Sequence, residues 1–144
     1  MKFAALCTTF LLLLAAQTGF GQEKPYKEGS VWNVTFVKVK PGMMDTYLRD
    51  LGANRKKLME QARKDGLILS ERLLSGDATG REDFDLILMV EYRNWAAFDG
   101  LSDKFRVLAE KMVGSEDKQV QMMTKRTEVR EIVGTKTMQE IFLR

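Results

Sequence analysis

The chain has 144 residues, with 23 basic and 20 acidic side chains, a formal net charge of +3, one cysteine and no histidine. The missing imidazole excludes histidine-dependent nucleophile systems and the commonest zinc and haem sites. Because both signs of charge are interspersed along the chain, we do not expect nucleic acid as a partner.

Residues 1–21 are typical of a secretory signal peptide. Lys2 precedes an uncharged apolar run, and small residues lie before the expected cleavage point at Gln22. A retained membrane anchor is the alternative, but threonine, glutamine and glycine residues dilute the run. Cys7 would be removed with the signal, so the mature chain would contain no thiol. We therefore expect an exported protein, periplasmic or extracellular, with no membrane span after cleavage.

The first part of the mature chain predicts a loose arm and then a strand. Residues 22–30 are polar and contain proline and glycine, which indicates a flexible N-terminal arm. Residues 31–39, "VWNVTFVKV", alternate in the manner of a β-strand, and the Pro41-Gly42 pair ends it.

Residues 43–64 predict an amphipathic helix. Apolar residues recur every three or four positions from Met44 to Ala62, and basic residues such as Arg55 are expected to face water. Gly66 is the expected stop.

The middle of the chain predicts a β-hairpin. Two strand-like segments, residues 67–75 and 84–92, flank a segment rich in glycine and aspartate. One face of the second strand is apolar throughout, and it comprises Phe84, Leu86, Leu88, Val90 and Tyr92. The other face carries Ile87 and Met89 between two acidic residues, so both faces of this strand need a cover.

A second helix is predicted from Asn94, a plausible N-cap, to about Val113, with Trp95 and Phe98 on its buried stripe. A polar stretch follows it. Two strand segments, residues 125–133 and 135–143, are then predicted on either side of Gly134.

The order of elements favours an α+β fold. Strand, helix, strand, strand, helix, strand is the ferredoxin-like β-α-β-β-α-β order, an antiparallel sheet with two helices on one face. The remaining C-terminal piece predicts an extra strand. Since helices cover one sheet face only, Ile87 and Met89 are predicted to lie in a homodimer interface, although the C-terminal strand could cover them instead.

Two segments resemble the dimeric α/β-barrel superfamily, which includes antibiotic-biosynthesis monooxygenase-like, stress-responsive and NIPSNAP-like domains. "VKPGMMDTYL" is similar to the first strand, Pro-Gly turn and helix onset of that group, and "EYRNWAAFDGL" to its strand-turn-helix. The resemblance covers roughly residues 31–133, and we assign residues 31–144 to one such domain. It implies two protomers that close their sheets into a barrel, with a pocket between sheet and helices.

The resemblance leaves the function open between three hypotheses. Members that degrade haem generally use a histidine, which this chain lacks. Asn33, Tyr92, Trp95 and Phe98 are the candidate pocket residues, and we expect neither a metal nor a cofactor. The first hypothesis is an exported homodimer that binds a small apolar or aromatic ligand without catalysis. The second is a cofactor-independent monooxygenase acting on an aromatic or quinol-type substrate, and the third is a structural envelope interaction protein.

Overall fold

The computed structural model of the protein describes residues 23–144, and the predicted signal peptide lies outside these described residues. Four strands form one sheet: β1 (Tyr26–Val39), β2 (Ser70–Ser75), β3 (Leu86–Tyr92) and β4 (Arg130–Leu143). They lie in the order β2-β3-β1-β4, and each neighbouring pair is antiparallel. The fold is therefore α+β with an open antiparallel sheet, which is compatible with a ferredoxin-like fold.

The first two helical segments follow the predicted order, although a π-helical turn interrupts the first, and the polar stretch after the second forms a further helix. The first helical segment comprises α1 (Met44–Asp50), a π-helical turn (Leu51–Arg55) and α2 (Lys56–Lys64). Gly66 ends it with a left-handed φ of 71°, a conformation that glycine adopts without a steric penalty. The segment after β3 forms a 3₁₀ turn (Trp95–Phe98) and then α3 (Leu101–Met112) and α4 (Glu116–Val129).

The core lies between the helices and one side of the sheet, in two clusters. One cluster joins β1 and β3 to α2 and α3 through Val31, Tyr92, Met59 and Leu108. The other packs α1 against the opposite end of the same strands and comprises Val37, Val39, Tyr47, Leu51, Leu86 and Leu88. We call this side of the sheet the helix-facing side.

The two ends of the described chain differ from the sequence prediction. β1 begins at Tyr26, so it includes most of the segment predicted as a flexible arm. Residues 125–129, predicted as strand, complete helix α4, and β4 runs through Gly134 as one strand. Among residues 23–144 there is consequently no extra C-terminal strand, because the last strand is itself the fourth strand of the sheet.

Candidate functional site

Asn33 lies on the helix-facing side of β1, in the gap between the two core clusters. It is paired with Val90 of β3 and with Thr137 of β4, and its Nδ2 donates a hydrogen bond of 3.2 Å to the Thr137 hydroxyl. A polar amide in the middle of a strand must find such a partner or water. Asn33 is half-buried, so the β4 edge of this side stays accessible.

Trp95 occupies an exposed position, which the sequence prediction placed in the core. Asn94 caps the turn as predicted, because its side-chain oxygen accepts a hydrogen bond of 3.2 Å from the Ala97 amide. The Trp95 side chain is nevertheless 52% exposed, and its Nε1 donates to Gln139 Oε1 at 3.0 Å. The 3₁₀ turn ends within four residues, so this ring does not share the α3 stripe that packs on the sheet.

Tyr92 and Phe98 pack together beside Trp95. The Tyr92 and Phe98 ring centroids are 4.6 Å apart, and those of Trp95 and Phe98 are 6.1 Å apart. Burial raises the pKa of the Tyr92 hydroxyl, and the positive charge of Arg55 offsets this only in part. The hydroxyl therefore stays protonated at neutral pH and cannot act there as a general base.

Strand pairing brings these residues to one place. Val31 lies directly between Tyr92 of β3 and Gln139 of β4, so these two side chains share the helix-facing side. Trp95 reaches the same place through its bond to Gln139, and Asn33 lies one alternation further along β1. We call Tyr92, Trp95, Phe98 and Gln139 the aromatic shelf. It offers aromatic rings and one amide group, which suit the binding of an apolar or aromatic molecule.

Ile87 and Met89 lie on the opposite side of the sheet, as the alternation predicts. Met89 is paired with Val34 and Ile87 with Phe36. We call this surface the open sheet face; its apolar members are Trp32, Val34, Phe36, Leu74, Ile87, Met89 and Met138.

The open sheet face differs from the prediction at one residue and carries one charged contact. Phe84 was assigned to the helix-facing side, but it lies before β3 begins and its ring contacts Phe36 at 4.8 Å. The Arg72 guanidinium lies 5.3 Å from the centre of the Trp32 ring, which is a cation–π contact. Leu74 and Met138 are each more than half exposed, so this face presents apolar surface to water.

Arg55 was predicted to face water, but it points into the protein. Its Nε lies 3.4 Å from Glu71 Oε2, and the Arg55 side chain is only 20% exposed. The two atoms are not aligned for a hydrogen bond, so both are buried without a hydrogen-bond partner. Burial lowers the pKa of Arg55 and raises that of Glu71, and each charge offsets the other only in part.

The sequence contained a signal for the position of Arg55. It lies four residues after Leu51 and three before Leu58, which is the spacing of the apolar stripe. A charged residue at such a position is either exposed by a helix irregularity or turned inward. Here the π-helical turn includes Arg55, and π-turns occur frequently at functional sites.

Two further observations concern the described residues 23–144. No group of three or more carboxylate, cysteine or histidine side chains in this part of the chain could hold a metal ion. None of its helices combines the length and the apolar character needed to cross a membrane.

No protein-family model matches the chain, and neither a curated protein nor a solved structure is significantly similar to it.

Proposed function

We propose that the protein is an exported homodimer of ferredoxin-like protomers that binds a small apolar or aromatic molecule at the aromatic shelf. The exposed ring of Trp95 is the observation that supports this most. Half of the side chain remains in water although its N–H already donates to Gln139. Covering this ring would gain apolar contact without breaking a hydrogen bond.

The chemistry of the shelf favours binding over acid–base catalysis. Its polar groups are the Gln139 amide, the Trp95 indole N–H and a tyrosine hydroxyl with a raised pKa, and none of these exchanges a proton readily near neutral pH. The half-buried Phe98 ring, which packs on the buried Tyr92, would give a flat ligand a rigid apolar wall. The amide of Gln139, which also contacts the Gly29 carbonyl, would orient a polar substituent.

The open sheet face supports the homodimer. Its apolar side chains lie on both central strands and on both edge strands, and a contiguous apolar surface of this kind marks an interaction site. A second copy is the simplest occupant, because a two-fold pair would bury the same patch on both molecules. The Arg72–Trp32 contact would then lie within the interface.

Fluorescence titration with a neutral aromatic probe, naphthalene, tests the shelf. Trp32→Phe leaves Trp95 as the only tryptophan, and we expect naphthalene to quench its emission with an unchanged affinity. Trp95→Ala should weaken naphthalene binding about 3- to 10-fold, measured by the fluorescence of the probe itself, because one aromatic contact is lost. Equal affinities for wild type and Trp95→Ala would contradict the proposal.

A cofactor-independent monooxygenase is the second candidate. Asn33 and Trp95 lie on the same side of the sheet, so both could orient a quinol that reacts directly with oxygen. Oxygen uptake with a panel of hydroquinones would distinguish the two functions. Rates above background that fall in Asn33→Ala and Trp95→Phe would favour the enzyme, whereas background rates in all three proteins would eliminate it.

A further inference from the structure

A cavity lies within the helix layer, apart from the aromatic shelf. It has a volume of about 160 Å³ and is formed by α2, α3 and α4 with the π-helical turn. Its walls are mostly apolar, and they comprise Leu58, Ala109, Val113, Met122 and Met123. An apolar cavity of about 150 Å³ is large enough for one benzene ring.

The cavity also has four polar lining residues, Asn54, Arg55, Gln119 and Arg126. Gln119 Nε2 donates a hydrogen bond of 2.8 Å to the Gly114 carbonyl. Asp50 holds two of the four, since one of its carboxylate oxygens lies 2.6 Å from Arg126 Nε and the other accepts a bond of 2.8 Å from Asn54. The charge of Arg126 is thereby paired, and the Asn54 side chain is fixed.

Arg55 differs from Arg126 in that its contact with a carboxylate, that of Glu71, is not a hydrogen bond. It lines this cavity and also a neighbouring cleft that contains Glu71, so the guanidinium lies between the two. Its Nε is directed to the Glu71 side and has no hydrogen bond. A guanidinium carries five N–H donors, so the four on its two terminal nitrogens remain for an acceptor in the cavity.

We propose that this cavity binds a small organic carboxylate, with the carboxylate on Arg55 and the apolar body against Leu58, Met122 and Met123. A carboxylate matches the planar fork of a guanidinium with two parallel hydrogen bonds. The methionines can adapt to the shape of the hydrocarbon part. This site rests on the proposed small-molecule-binding role but uses residues that the aromatic shelf does not contain.

Titration of the purified protein followed by ¹⁹F NMR tests the proposal with two matched probes, 4-fluorobenzoate and 4-fluorobenzyl alcohol. We expect the acid to bind at least about 10-fold more tightly than the alcohol, because a charge-assisted hydrogen bond contributes about 1.5–3 kcal/mol. Arg55→Met should weaken binding of the acid by about the same factor. Arg63→Met, which removes an exposed arginine of the same helix, should leave it unchanged.

A cavity-filling variant keeps the test decisive if Arg55→Met does not fold. Ala109→Phe places a ring in the cavity and alters no charge, so it should abolish binding of 4-fluorobenzoate. Equal binding of acid and alcohol, no binding to wild type, or full binding to Ala109→Phe would overturn the proposal. Trp95→Ala separates the two sites, since it should weaken naphthalene binding and leave the affinity for 4-fluorobenzoate unchanged.

Discussion

The two sides of the sheet use similar residues in different ways. On the helix-facing side of β3, Leu86, Leu88, Val90 and Tyr92 are all buried under helices. On the open sheet face of the same strand, Ile87 and Met89 are half-buried, and they are shielded only by neighbouring side chains of the sheet. The helix-facing side therefore stabilises the fold of the single chain, whereas the open sheet face leaves apolar side chains that no helix covers.

The largest effect is expected from a charge on the open sheet face. Ile87→Lys should convert the proposed dimer to monomer or to insoluble protein, because burying an unpaired ammonium group is strongly unfavourable. Size-exclusion chromatography with light scattering measures the change. Val107→Lys, at a position of α3 that is 59% exposed, is the control and should remain dimeric. An Ile87→Lys protein that elutes and melts like the parent would remove the dimer interface from this face.

A truncation on the other side of the same strand should act within the protomer. Leu86 is 1% exposed, so Leu86→Ala should lower the free energy of unfolding by about 2–5 kcal/mol through lost burial and a new cavity. Urea denaturation at several protein concentrations measures this loss. Ile87→Ala is the matched variant one residue away, and its effect should depend on protein concentration, since it weakens association. If both variants lost a similar free energy of unfolding at every protein concentration, the distinction between the helix-facing side and the open sheet face would be contradicted.

The smallest effect concerns the pH dependence contributed by Glu71. Because burial raises its pKa, the folded protein keeps this proton at pH values where the unfolded chain has lost it. The contribution of Glu71 to stability is therefore largest below the unfolded pKa and falls as the pH rises through the folded pKa. Melting temperatures of wild type should fall across this window more steeply than those of Glu71→Gln.

The control for this comparison is Glu82→Gln, in the exposed hairpin connection. Its melting temperature should fall with pH as steeply as that of wild type. If the melting temperature of Glu71→Gln falls with pH as steeply as that of Glu82→Gln, the carboxyl group of Glu71 is not desolvated in the folded protein.

Much of the fold follows from the spacing of apolar residues. The first helix and its stop at Gly66, the hairpin, the alternation in β3 and the cap at Asn94 all lie within a few residues of their predicted positions. These features depend on residues close together in the sequence, so the spacing of apolar residues, glycines and caps predicts them.

The errors occur where tertiary contacts override local preference. Residues 125–129 contain threonine and valine, which favour strands, yet they continue α4, and Val129 packs against the core cluster of α1. The side-chain contacts of Arg126 with Asp50 add to this docking of the helix. Such long-range contacts leave no periodic signal in the sequence.

The positions of the candidate site residues could be predicted only in part, also because non-local structure overrides local preference. Asn33, Tyr92, Trp95 and Phe98 were singled out by residue type, and the structure places them on one side of the sheet. The exposure of Trp95 and the inward position of Arg55 were missed, because a short 3₁₀ turn and a π-turn each change the direction in which side chains point.

The π-helical turn at Leu51–Arg55 also bears on how the chain tolerates change in length. At about 100° per residue, the twelve-residue step from Tyr47 to Met59 would advance a regular α-helix by about 120° beyond three full turns. Tyr47 before the turn and Met59 after it are both buried against the same side of the sheet. The wider π-helical turn therefore brings the two side chains onto one face of the helix. A relative with one residue fewer between positions 47 and 59 should form a regular α-helix there and keep the same face buried.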